Sequence, residues 1–162
     1  MKTIFQHKIS SLAELLPLIT QWRSKAKSVV FTNGCFDIIH LGHIDYLHKA
    51  AALGDYLIVG INSDASTRRL KGALRPIQHE ISRSAVMAAL GCVDAVIIFD
   101  EDTPEILINT IKPDVLVKGG DWAPAQIVGS AFVQSYGGVV TTIPYIDGYS
   151  TTLIEQKIKL TL

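Results

Sequence analysis

The stretch TNGCFDIIHLGH, residues 32–43, follows the apolar run Ser28-Val29-Val30-Phe31 and leads into IDYLHKAAALG, residues 44–54, whose apolar positions recur at helical spacing. Gly34 and Gly42 punctuate it. The pattern predicts a strand, a tight glycine turn and then a helix. His40 and His43 stand three residues apart where that helix begins, so their side chains share one face near its N-terminus. A helix N-terminus presents unpaired N–H groups and partial positive charge, and both favour phosphate. The stretch points to a nucleotide site with histidine-assisted chemistry on phosphate.

The same alternation continues in both directions. Upstream, Ser11-Leu12-Ala13-Glu14 has capping-box spacing and opens a helical pattern, so residues 1–27 read as an N-terminal arm and a packing helix of the same domain as residues 28–162. Downstream, strands are predicted over 55–61, 95–99, 114–117 and 139–143, all rich in apolar or β-branched residues. A helix over 79–90 should end on Gly91 as its C′ glycine, and Thr103 should cap a helix with Pro104 at its first position. Residues 65–78, ASTRRLKGALRPIQ, read as a polar, cationic segment that Pro76 keeps from helix, and Ser150 opens the last helix. Strand–helix alternation throughout implies a single Rossmann-like α/β domain: a five-stranded parallel sheet with helices on both faces. Ligands of such sheets bind outside the carboxyl ends of the strands, where the HLGH turn, the basic segment, KGGDW and Ser150-Thr151-Thr152 all fall.

Composition narrows the function classes. Lys+Arg and Asp+Glu are 15 each among 162 residues, so no global field favours nucleic acid or an anionic membrane, and any anion site is local. The 48% hydrophobic content suits a packed core. Cys35 and Cys92 form no CxxC pair, and no run has the length of a signal-peptide core or a membrane span, so the chain reads as soluble and cytoplasmic. Neither GxxxxGK[ST] nor GxGxxG occurs, which removes the main support for P-loop hydrolysis and hydride transfer.

Within that frame, His40 and His43 are candidates for catalytic phosphate contact, against packing or half of a zinc site for which no third ligand has suitable spacing. Lys71 is the candidate cation for transferred phosphate, with Arg75 and Arg83 as partners of substrate phosphate, while Arg68 and Arg69 read as exposed charges. Ser150, Thr151 and Thr152 offer hydroxyls beside helix N–H groups, although serine there is also an ordinary cap. Lys118, Gly120, Asp121 and Trp122 follow a strand, where glycine permits close backbone approach, Asp121 can bond a ribose hydroxyl or base, and Trp122 can stack or simply pack. Asp37 and Asn62 either position ligand or hold their turns; Cys35 can offer its backbone N–H; Asp94 and Asp114 belong to turns on the opposite edge; His48 reads as packing.

Residues 34–43, GCFDIIHLGH, resemble the signature of the HxGH nucleotidyltransferase superfamily, which includes cytidylyltransferases and pantetheine-phosphate adenylyltransferase. RRLKG before Arg75-Pro76, FDEDTPE, KPDVLVKGGDW and DGYSTT further resemble the D-glycero-β-D-manno-heptose 1-phosphate adenylyltransferase branch, over about residues 28–160. The resemblance implies that residues 28–162 form a nucleotidyltransferase domain that joins AMP from ATP to a sugar 1-phosphate, with Mg²⁺ accompanying ATP. It also implies that Asn33, Gly34, Cys35, Phe36, Asp37 and Gly42 lie at the nucleotide. The chain departs from the family pattern at residues 78–83, QHEISR, and carries Tyr145 five residues before Ser150, where cytidylyltransferases carry arginine. That favours the adenylyl branch over a cytidylyltransferase for glycerol 3-phosphate or a similar alcohol; a nucleotide-binding regulator is the non-enzymatic alternative. A homodimer is implied by resemblance alone.

Overall fold

The computed structural model describes residues 5–161. In chain order its elements are helix α1 (Leu12–Ser24), strand β1 (Val29–Gly34), α2 (Leu41–Ala51), β2 (Tyr56–Asn62), α3 (Asp64–Lys71), α4 (Glu80–Ala89), β3 (Ala95–Phe99), α5 (Glu105–Ile111), β4 (Val115–Gly119), α6 (Ser130–Ser135), β5 (Val139–Ile143) and α7 (Thr151–Thr161). The five strands are all parallel, in the order β3-β2-β1-β4-β5. The α/β class, the five-stranded parallel sheet and the Rossmann-like topology are therefore as the sequence predicts.

Alternation along β1 explains the two-faced core. Val29 and Phe31 point to one side, among Leu15 and Ile19 of α1, Ile108 and Ile111 of α5 and Val133 of α6. Val30 points to the other, among Tyr46, Leu47 and Ala50 of α2 and Met87 and Ala88 of α4. Helices thus cover both faces, and strands with apolar residues on both are the expected result. At the amino ends of the strands, the carboxylates of Asp55, Asp94 and Asp114 accept from the amides of Ser28 (2.9 Å), Leu57 (2.8 Å) and Val29 (2.8 Å), so Asp94 and Asp114 do hold the edge opposite the site. N-terminal to α1, Ile9 bridges Val96 and the Ser10 amide donates to the Val96 carbonyl at 3.0 Å, laying the arm along β3.

Three local expectations are corrected. Residues 64–71 are helical, not irregular: Ser63 caps α3 by accepting from the Ser66 amide (2.9 Å), and Gly72, at φ 96°, ends it. Polar side chains hid that helix, since Leu70 is its one large apolar residue. Pro104 is the N-cap of α5 rather than its first residue, which displaces Thr103 into the preceding loop. Gly91 is not a left-handed C′ glycine, because the chain already turns extended at Leu90; the left-handed cap falls instead on Lys112, whose following proline disfavours the right-handed helical region.

β1 leads to β2 and β3 on one side and the chain then returns to place β4 and β5 on the other. The order reverses between β1 and β4, and such a reversal opens a crevice at the carboxyl ends of the two strands. Asn33 and Gly34 end β1 there, and Lys118 and Gly119 end β4.

Candidate nucleotidyl-transfer site

His40 is the N-cap of α2 and His43 lies in its first turn, with the His43 amide donating to the His40 carbonyl at 2.9 Å. Their rings stack at 3.9 Å between centroids, tilted by 31°, and Phe36 meets His43 edge-on at 5.6 Å. Among the described residues neither Nδ1 atom has a hydrogen-bond partner, although both are buried. Burial lowers the His43 imidazole to about 4, with help from the charges of His40 and Lys71, and burial also lowers His40. Both rings are therefore neutral near pH 7, and each keeps one N–H donor. Gly42 is required by this packing. A Cβ there would stand 3.1 Å from the His40 ring and 3.3 Å from Cβ of Tyr149, so the start of α7 lies against the first turn of α2.

A cavity of about 390 Å³ opens at the crevice. Asn33 to Phe36 from the end of β1 form its floor, His43 and Tyr46 come from α2, Lys71 from the end of α3, and Lys118 and Gly119 from β4. A second chamber of about 240 Å³ shares Asn33, Pro104, Lys118 and Val128 with the first and is otherwise walled largely by Leu116, Val117, Ile127 and Trp122. Lys118 stands at the junction, and burial lowers its ammonium from the ordinary value. A desolvated ammonium gains most from an anion brought beside it.

Of the residues singled out in the sequence, Asn33, Gly34, Cys35, Phe36, His43, Lys71 and Lys118 line this cavity, and His40 stacks on His43. Gly120 sits at φ 103°, and a Cβ there would meet Tyr145 and Trp122. Trp122 lines the second chamber and donates from its ring nitrogen to the Gly119 carbonyl (3.1 Å), while Asp121 is exposed. Ser150 caps α7 by accepting from the Leu153 amide at 3.1 Å, and Thr151 and Thr152 form the first turn. Tyr149 on Gly42 brings that turn to the histidine side.

Three more of these residues are tied into the frame of the site. Arg83 is 1% exposed and its guanidinium is used internally: Nε donates to the Gln78 carbonyl (2.9 Å), Nη1 to the Cys35 carbonyl, and Nη2 to the Asn62 carbonyl and the Asp64 carboxylate (2.8 Å each). It holds the cavity wall from behind and does not face substrate phosphate. Arg75 is engaged at both ends, donating to Asp37 at 2.9 Å and pairing with Glu155. Asp37, 3% exposed, accepts from the Ile77 and Gln78 amides (2.8 Å each) as well as from Arg75. Burial alone would raise its carboxyl; those amides and the guanidinium outweigh it and hold the group below its ordinary value. Asp37 thus ties the 75–78 loop to the HxGH turn and is not open to a nucleotide.

Asp102, Thr103 and Tyr145 were missed as wall residues and line the cavity. Asp102 and Thr103 follow β3 at its carboxyl end, so the topology rule was the signal that could have found them. Asn62 also lines the cavity, accepting from the Cys35 thiol (3.9 Å) and donating to Ser66 (3.0 Å).

Comparison with known proteins places the chain in a family. The cytidylyltransferase-like family model matches residues 31–157. The bifunctional protein HldE of Geotalea uraniireducens is 54% identical over 152 residues, covering 94% of this chain and 31% of that protein. HldE of Geobacter metallireducens is 53% identical over 159 residues, covering 95% of this chain and 32% of that protein. The chain thus spans about a third of the length of these relatives. A solved lipopolysaccharide core biosynthesis protein from Thermoplasma volcanium is 33% identical with a TM-score of 0.62, covering 76% of this chain and 99% of that one. With that model matching most of its length, the chain belongs to the cytidylyltransferase-like family.

Proposed function

We propose that the chain transfers AMP from ATP to D-glycero-β-D-manno-heptose 1-phosphate, giving ADP-heptose and pyrophosphate for surface-glycan synthesis. The observation that carries this reading is the stacked pair of neutral histidines with unpartnered Nδ1 atoms beside a cavity that holds Lys71 and Lys118. The HldE relatives and the lipopolysaccharide core biosynthesis protein support a heptose acceptor. Tyr145 in place of the cytidylyltransferase arginine supports ATP over CTP.

An oxygen of the sugar phosphate attacks the α-phosphorus of ATP, the bond to the α–β bridging oxygen breaks, and its electron pair leaves with pyrophosphate. The attacking phosphate is already an anion, so no general base is required. The barrier is lowered by holding the two phosphates in line and by donors aimed at the charge that develops. In this assignment His40 and His43 donate to the α-phosphate. Lys71 and Lys118 neutralise phosphate oxygens, and the hydroxyls and amides at residues 150–152 contact the nucleotide. Asp102, the carboxylate on the cavity wall that also pairs with Arg69 at 2.6 Å, would hold Mg²⁺ accompanying ATP, and the ion would supply charge neutralisation for the pyrophosphate. A substrate pair of ATP and a phosphorylated sugar fits a cytoplasmic reaction; among the described residues no helix is long and apolar enough to cross a membrane.

The test is pyrophosphate release measured with ATP or CTP crossed against heptose 1-phosphate or glycerol 3-phosphate. Release with ATP and heptose 1-phosphate is the expected result. Preference for CTP overturns the adenylyl assignment, activity on glycerol 3-phosphate alone overturns the heptose one, and release with any pair excludes a purely regulatory domain.

A further inference from the structure

Helix α7 starts beside the histidine turn, where Tyr149 lies against Gly42, yet none of its eleven residues is buried. Little apolar area holds it against the rest of the molecule, so a specific contact must fix its position. Glu155 supplies one. It pairs with Arg75, and the two side chains are only 25% and 18% exposed, unlike the solvated pairs elsewhere on this surface. The other arm of the same guanidinium reaches Asp37, which is anchored by the Ile77 and Gln78 amides and lies three residues before His40. Glu155 and Thr151 are four apart and therefore share a face of α7. A single planar fork consequently joins the HxGH turn to the face of α7 that bears Thr151, a bridge that the point charge of lysine does not reproduce.

We propose that Arg75 and Glu155 form a latch that sets the position of α7 over the histidines and thereby the affinity for the nucleotide, Glu155 being a positioning residue. Released, α7 samples detached positions, and nucleotide must bear the cost of docking it. This rests on the assignment of ATP to the site only for its kinetic consequence; the attachment of α7 is tested without substrate.

In the full chain, Glu155→Gln should raise amide exchange across residues 151–161 while α1 and α4 are unchanged. KM for ATP should rise about tenfold, with kcat within about threefold and KM for the sugar phosphate unaltered. Glu155→Asp should restore part of the ATP affinity, and Arg75→Lys should reproduce the defect. Unchanged exchange across 151–161 in Glu155→Gln overturns the latch whatever the reaction proves to be. Faster exchange with both KM values rising together overturns its specific link to the nucleotide.

Discussion

Two sets of basic side chains stand within the same quarter of the molecule and have opposite fates. Arg75 and Arg83 donate to carboxylates and carbonyls of the 35–37, 62–64 and 75–78 segments, Arg83 closed off from water and Arg75 partly so. Lys71 and Lys118 line the cavity beside two histidines whose Nδ1 atoms have no partner among the described residues. A buried charge must be paired to be tolerated, so full pairing marks a residue that builds the wall, whereas unspent donors facing a cavity mark those that meet a ligand.

The largest separation of the two sets should come from Arg83→Ala. It leaves the Asp64 carboxylate and the Gln78, Cys35 and Asn62 carbonyls without this donor, and should lower unfolding free energy by about 3–5 kcal/mol in urea titration. Equal stability would show that Arg83 is not part of the wall. Next, His43→Ala should lower kcat by about 10²- to 10³-fold with little change in the urea midpoint. Near-normal turnover would remove the histidine pair from the chemistry. The smallest effect concerns pH in the unliganded protein. His43 is near 4 when folded against 6.5 when unfolded, so its contribution is complete above pH 6.5 and is lost as pH falls toward 4. Melting temperature should drop across that window, and His43→Gln should flatten the drop. An unflattened profile would place the titration elsewhere.

The strands and the histidine turn were legible because both are local patterns: β-branched or apolar runs, a glycine turn and a three-residue spacing. The roles of Arg75, Arg83 and Asp37 were not, since a charged residue reads alike whether it faces solvent, ligand or a carboxylate distant in sequence. Arg83 and Cys35 are separated by 48 residues, and only the folded arrangement reveals that one donates to the other's carbonyl. Helix α3 escaped notice for a related reason. It buries Ser66 and Thr67, not a stripe of leucines, and its cationic face looked like a loop. Asp102 and Thr103 lie in the FDEDTPE turn, whose resemblance marks the segment without giving either residue a role, and strand order places them in the wall.

The arm that runs beside β3 bears on a different hazard. An outer strand exposes a row of unsatisfied main-chain groups, a template on which foreign chains can grow into aggregates. By bridging Val96 through Ile9 and Ser10, the arm blunts β3, and among the described residues this leaves β5, with Val139 56% exposed at its start, as the strand bordered on one side only. Protection against self-association is therefore lopsided, and solubility engineering has a single margin of the sheet to treat.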